Sequence, residues 1–244
     1  MAKRKRRSRA SRNVHPGKGA PNCQSNDLRI VGGRYRGHKL RYEPLVVQDD
    51  LVTRPMKHRV REAIFNLIGL EVQGCHAIDL FAGTGALGLE AISRGAVGAT
   101  FIEKHVPTAR FVATNISNLG VQSITDLRTT SAFLWARRDM TMAAGSARGI
   151  AESDTAPGSH QLPGTIPWLV FCSPPYGFYV DRQDDMLELI TAVAGRAPAG
   201  SLAVVEADER FDFSLLPGGP VGEKRTDRWQ VRSYPPAVVG VWRK

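Results

Sequence analysis

Short apolar runs alternate with helical segments from Cys75 to Ala207, and this rhythm constrains the fold more than any other feature of the chain. CHAIDLF (75–81), GATFIE (98–103), WLVFC (168–172) and LAVVEA (202–207) read as buried strands, with a weaker one from Ile124 to Thr129. Between them ALGLEAISRG (86–95) reads as a helix closed by Gly95, and Thr108 to Leu119 and Asp184 to Ala194 as two more, with a short helix near Ala132. Strands separated by helices at this spacing predict a mostly parallel sheet covered on both faces, the doubly wound α/β class. The rhythm breaks near the carboxyl end, where Arg228 to Tyr234 and Ala237 to Trp242 predict two antiparallel strands around Pro235-Pro236.

Ahead of this core, LRIVGGRYRGHKLRY predicts an N-terminal β-hairpin over 28–44, with Arg34 and Arg36 on one face at period two and Lys39 and Arg41 beyond Gly37. Arg54-Pro55 opens a helical stretch whose stripe is Val60, Ile64, Leu67 and Ile68, with Lys57 and Arg61 on another side and Gly69 as its stop. Residues 1–27 are basic and poor in apolar side chains, which predicts a disordered arm. Residues 137–167, rich in Ala, Gly, Ser and Pro, read as a flexible insertion entering the strand at Trp168 from the edge opposite the ligand side.

The net charge of +10 belongs to the amino end. Residues 1–44 hold 13 Lys and Arg against 2 acids, and the rest of the chain holds 20 against 21. A near-neutral body with a cationic end suits a polyanionic partner, because phosphate contacts release counterions and attraction acts at long range. No apolar run approaches the roughly 18 residues of a membrane-spanning helix, and no hydrophobic stretch follows the charged start, so a cytoplasmic protein is expected. Cys23, Cys75 and Cys172 form no CxxC pair, and the six histidines show no ligand spacing, so no metal site or disulfide framework is expected.

The strand ending at Asp79 runs through Phe81, Ala82, Gly83 and Gly85 into a helix. Glycines there let backbone amides approach a ligand where a Cβ would collide. Glu103, at the end of the next strand 20 residues beyond Gly83, can accept hydrogen bonds from ribose hydroxyls, so a nucleoside-bearing cofactor is expected. After the fourth strand stands Ser173-Pro174-Pro175-Tyr176. It resembles the signature of S-adenosylmethionine-dependent methyltransferases that act on exocyclic amines of nucleobases. Such an amine is a poor nucleophile because its lone pair is delocalised into the ring. The first side chain and the Pro174 carbonyl can hold its hydrogens so that the lone pair turns toward the methyl group, while the aromatic ring stacks on an extruded base. Two prolines stiffen the loop.

Several further blocks occur in order: Arg29 to Gly33, Arg36 to Leu40, Arg54-Pro55, Arg59 to Asn66 and DLFAGTGALGLE (79–90). Together with the loop they resemble the RsmD-type 16S ribosomal RNA guanine-N2 methyltransferases, from Leu28 to about Asn115 and again from Trp168 to Tyr176. The resemblance implies a Rossmann-like class I methyltransferase domain over 45–244 with a seven-stranded sheet, S-adenosyl-L-methionine as methyl donor, and a guanine in the RNA of the small ribosomal subunit as target. It implies Asp79, Phe81, Ala82, Gly83, Gly85, Glu103, Ser131 and Ala132 around the cofactor, and Ser173, Pro174, Pro175 and Tyr176 at the reacting amine. Arg34, Arg36, Lys39, Arg54, Lys57, Arg59 and Arg61 are the expected RNA contacts, with bracing of the helix against acids as the alternative for Arg59 and Arg61. The family carries Asp or Asn where this chain has Ser173, and an acidic or amide residue where it has Ser131. Serine lacks charge and reach, so it positions an amine without acting as a base. It also resembles the loop of cytosine-N4 DNA methyltransferases. A DNA amino-methyltransferase and an RNA-binding homologue without catalysis are therefore the alternative readings.

Overall fold

The computed structural model of the chain describes residues 28–43, 46–47, 50–51, 58–140, 162–217 and 229–244. The expected arm at 1–27, residues 141–161 of the expected insertion, and Arg54 and Lys57 lie outside the described residues.

Seven strands form one sheet: β1 (His76–Asp79), β2 (Gly98–Ile102), β3 (Thr125–Arg128), β4 (Trp168–Cys172), β5 (Leu202–Asp208), β6 (Gln230–Tyr234) and β7 (Ala237–Arg243). Their spatial order is β3-β2-β1-β4-β5-β7-β6. The first five run parallel, while β7 pairs antiparallel with both β5 and β6. The helices are α1 (His58–Ile68), α2 (Ala86–Ser93), α3 (Val106–Leu119), α4 (Ala132–Trp135), α5 (Phe178–Asp181) and α6 (Gln183–Arg196). Among the described residues no helix is long and apolar enough to cross a membrane.

Because neighbouring side chains on a strand point to opposite faces, each central strand feeds two cores. Ala77, Phe101, Leu169, Phe171 and Val204 pack with Ile64, Phe65, Leu89 and Val112 from α1 to α3. Ile78, Val170, Cys172 and Val205 pack on the other face with Phe133, Trp135, Met186, Leu189 and Ile190 from α4 and α6. The central strands are apolar throughout because they are covered twice.

The amino-terminal segment folds back on itself with short antiparallel pairing: the Arg29–Lys39 bridge is flanked by hydrogen bonds from the Ile30 amide to the His38 carbonyl at 3.0 Å and from the Leu40 amide to the Leu28 carbonyl at 2.7 Å. Arg34 and Arg36 differ from the expectation, because they fall in the turn over 32–37 rather than on one face of a ladder. What fixes it is docking. Leu28, Ile30 and Leu40 are buried in the core shared with α1 and α2. The Val31 and Gly32 amides donate to Glu90 at 2.7 and 2.8 Å, and the Tyr35 amide donates to Ser93 Oγ at 2.9 Å. Asn115 of α3 accepts from the Arg41 amide at 2.6 Å and donates to the Thr84 carbonyl at 2.9 Å, tying the segment to the glycine loop.

Arg61 requires a correction. It was expected among RNA-facing cations, yet its side chain is 0% exposed and its guanidinium lies 3.6 Å from the equally buried Glu90. It also donates to the Arg29 carbonyl. The bracing alternative holds for Arg61, because its position on α1 faces α2 rather than solvent. Arg59, Arg34, Arg36 and Lys39 are exposed.

Candidate active site

The expected cofactor and amine residues come from the loops that follow β1 to β4, all at the carboxyl ends of the parallel strands, where open α/β sheets bind ligands. Strand register sets the levels. Asp79 lies opposite Phe101 on one side and Phe171 on the other. The Leu80 amide donates to the Phe171 carbonyl at 3.0 Å and the Ala82 amide to the Ile102 carbonyl at 3.0 Å, so the glycine loop is pinned between β2 and β4.

Gly83 and Gly85 both adopt positive φ, +55° and +78°, a region that side-chain-bearing residues rarely occupy. A Cβ on Gly83 would point into open space, with only the Phe81 carbonyl at 4.0 Å, so the bare backbone leaves a cradle at the loop tip. Gly85 is the N-cap of α2, which directs the first amides of that helix toward the same loop.

Three carboxyls gather at this edge. Asp79 is 1% exposed; one oxygen accepts from the Gly88 amide at 3.2 Å and the other has no hydrogen-bond partner of good geometry among the described residues. Burial, reinforced by the nearby charge of Glu103, pushes its pKa up to about 7. Glu103 accepts from the Gly83 and His105 amides, each at 2.8 Å, and burial raises its pKa against those hydrogen bonds. Glu206, near the end of β5, is 5% exposed and is also raised by burial. Among the described residues none of the three forms an ion pair with Arg or Lys.

Glu206 is the residue the sequence reading missed. Register pairs Cys172 of β4 with Val205 of β5, so the residues that follow them, Ser173 just past the end of β4 and Glu206 on β5, are neighbours. Ser173 donates its hydroxyl to one Glu206 oxygen, and the Tyr176 hydroxyl donates to the other at 2.8 Å. A signal was present: a single carboxylate interrupts the otherwise apolar run LAVVEA at the ligand end of its strand. Which neighbour it would meet depended on strand order.

Aromatic side chains join the loops. Phe81 of the glycine loop, Phe133 just after Ser131-Ala132, and Phe178 just after Tyr176 have ring centroids 6.0 to 6.2 Å apart. The Arg182 guanidinium caps the Phe133 ring at 4.0 Å. Ser131 is the N-cap of α4 but its hydroxyl makes no capping bond. Tyr176 and Ser173 are half-buried, Pro174 buried and Pro175 exposed.

The strand order, the glycine loop after β1 and the carboxylate after β2 define a class I methyltransferase fold. The solved structure of the Escherichia coli protein yhhF matches with a TM-score of 0.60 at 24% identity, covering 89% of this chain and 97% of that one. A Thermus thermophilus 16S rRNA N2 methyltransferase (RsmC), solved with AdoMet and guanosine, matches at 0.53 and 16% identity over 79% of this chain and 43% of its own. The family described as "Conserved hypothetical protein 95" matches residues 28–144. Ribosomal RNA small subunit methyltransferase D of Escherichia coli is 42% identical over 95 residues, 39% of this chain and 46% of that protein. Its Haemophilus influenzae namesake is 36% identical over 103 residues, 42% of this chain and 50% of that protein. Over residues 28–144 the chain is similar to that family, it is similar to these RsmD-type methyltransferases, and its matched segments span about half the length of the curated relatives.

Proposed function

We propose that the protein is a cytoplasmic enzyme that methylates the exocyclic N2 amine of a guanine in small-subunit ribosomal RNA, with S-adenosyl-L-methionine as donor. The observation that carries this reading is the meeting, at one sheet edge, of the glycine loop, Glu103 and the Ser173–Tyr176 loop. The residues fit the donor: an uncovered backbone cradle at Gly83, a ribose-directed carboxylate at Glu103, and the Asp79 oxygen without a well-formed hydrogen bond among the described residues suit a cationic, ribose-bearing group. The bound donor would supply an electrophilic methyl group. Phe81, Ala82, Gly83 and Gly85 would line its cleft, with Ser131 and Ala132 beside the adenine.

The chain's own part is orientation. Ser173 and the Pro174 carbonyl would accept hydrogen bonds from the amine, and the proline pair keeps those acceptors fixed. Tyr176 would stack on the extruded base. The exposed Arg34, Arg36, Lys39 and Arg59 are proposed to contact phosphates, and Arg54 and Lys57 keep that role from their charge in the sequence. The names of the curated relatives support ribosomal RNA as the target.

The test is incubation of the purified chain with isotope-labelled donor and either small-subunit RNA or DNA, followed by mass spectrometry of the nucleosides. Labelled N2-methylguanosine from RNA is the expected product. Label in N4-methylcytosine or N6-methyladenine of DNA would replace this reading by the DNA alternative, and donor binding without product would replace it by the non-catalytic one.

A further inference from the structure

Ser173 alone is a weak acceptor for a proton, yet it is not alone. Its hydroxyl is donated to a buried carboxylate 33 residues further along the chain, and the same carboxylate takes the Tyr176 hydroxyl on its other oxygen. Both side chains expected to handle the base are thereby held by one group. Through these hydrogen bonds Ser173 and Tyr176 turn their remaining lone pairs away from Glu206. The other titratable groups that act here are Tyr179, which feels Glu206, and Asp208, which acts on Tyr176. These are neutral or acidic, so among the described residues no cation fixes Glu206 in its charged form. Burial raises its pKa above the ordinary carboxylate range, and the two hydroxyl donors pull it back down.

We infer that Glu206 is the positioning residue of the amine site: it holds Ser173 as an acceptor toward the substrate amine and receives, through the Ser173 hydroxyl, the proton that the amine releases. The inference rests on the amine-methylation reading above. As the nitrogen lone pair forms the new N–C bond, the bond from the methyl carbon to sulfur breaks and its electron pair stays on sulfur. The methylated nitrogen then passes one proton to Ser173 Oγ while the Oγ proton passes to Glu206, which becomes a neutral acid and later returns the proton to water. Serine at position 173 is consistent with this arrangement. An aspartate there would set two carboxylates against each other, and one would be forced to hold a proton.

Four variants test the relay: Glu206→Gln, Glu206→Asp, Ser173→Ala, and the double variant Ser173→Asp/Glu206→Gln, which moves the carboxylate onto the loop. Single-turnover methylation by the wild type should fall as pH drops through the Glu206 titration. Glu206→Gln should be slower by on the order of 10²-fold, the usual size of a general-base contribution, and should lose that acidic limb while its KM for RNA stays within a few-fold. Glu206→Asp should recover part of the rate and keep the limb, and the double variant should exceed Glu206→Gln alone. A second readout needs neither donor nor activity. Carbon-13 NMR of glutamate carboxyls, with the Glu206 resonance assigned by its loss in Glu206→Gln, or by its shift in Glu206→Asp should Glu206→Gln not fold, should give a midpoint that moves upward in Ser173→Ala. An unmoved midpoint, or a Glu206→Gln variant with wild-type rate and pH profile, overturns the relay. So does a uniform loss of rate that neither Glu206→Asp nor the double variant rescues. A wild-type chain that methylates neither RNA nor DNA overturns the parent reading instead, and the relay with it.

Discussion

Two buried glutamates serve opposite ends. Glu90, on α2, is 0% exposed and surrounded by donors: Arg94 at 2.8 Å, Arg61 at 3.6 Å, and the Val31 and Gly32 amides. Glu206, at the mouth of the sheet, meets two neutral hydroxyls and, among the described residues, no cation. The difference teaches what separates a structural carboxylate from a reactive one. Cations and amide donors together compensate the loss of water, and here they fasten the amino-terminal turn onto α2. Hydroxyls alone leave the desolvation cost standing, which keeps a proton exchangeable. Asp79 and Glu103 lie between the two cases: backbone amides donate to them, no Arg or Lys pairs with them among the described residues, and burial raises both.

The contrast breaks most severely at the structural end. Glu90→Ala would leave Arg61 buried without its counter-charge, while two amides lose their acceptor. We expect a loss of about 3–5 kcal/mol in urea unfolding, the range seen when one partner of a buried pair is removed. A loss below about 1 kcal/mol would mean that the network is not what holds the turn.

At the mouth the expected effect is a dependence on pH. Asp79 has its folded pKa at about 7 against an ordinary 3.8, so between those values the folded chain binds a proton that the unfolded chain has released. Stability of the cofactor-free protein should therefore fall as pH rises from about 4 to about 7, by up to about 4 kcal/mol at 1.36 kcal/mol per unit. Asp79→Asn should flatten that slope in denaturation series across the same window. An unchanged slope would assign the titration elsewhere.

Smaller effects separate the two parts of Tyr176. Tyr176→Ala should lower kcat/KM by the roughly 1–3 kcal/mol of base stacking on an aromatic ring. Tyr176→Phe keeps the ring and loses only the hydrogen bond to Glu206, so about 1 kcal/mol is expected. Equal losses in the two variants would place the tyrosine's value in its hydroxyl rather than in stacking.

Much of this molecule was written locally. The alternation of runs gave the order of strands and helices to within a few residues: Trp168–Cys172 formed as read, and α3 begins at Val106 rather than Thr108. The glycine loop, Glu103 and Ser173 to Tyr176 were legible because each is a contiguous motif at the end of a buried strand. The amino-terminal segment was less legible. Its period-two arginines suggested one face of a ribbon, but docking on Glu90, Ser93 and Asn115 fixed them in a turn.

What the sequence determined by itself was therefore the class of fold and the place of the candidate loops at the ends of its strands, because hydrophobic period, glycine and proline act on their immediate neighbours. Tertiary structure alone decided that Arg61 faces inward and that Glu206 stands beside Ser173. Both depend on which helix face or strand edge meets another distant in the chain. Whether a buried charge is compensated is a property of that meeting, not of the residue.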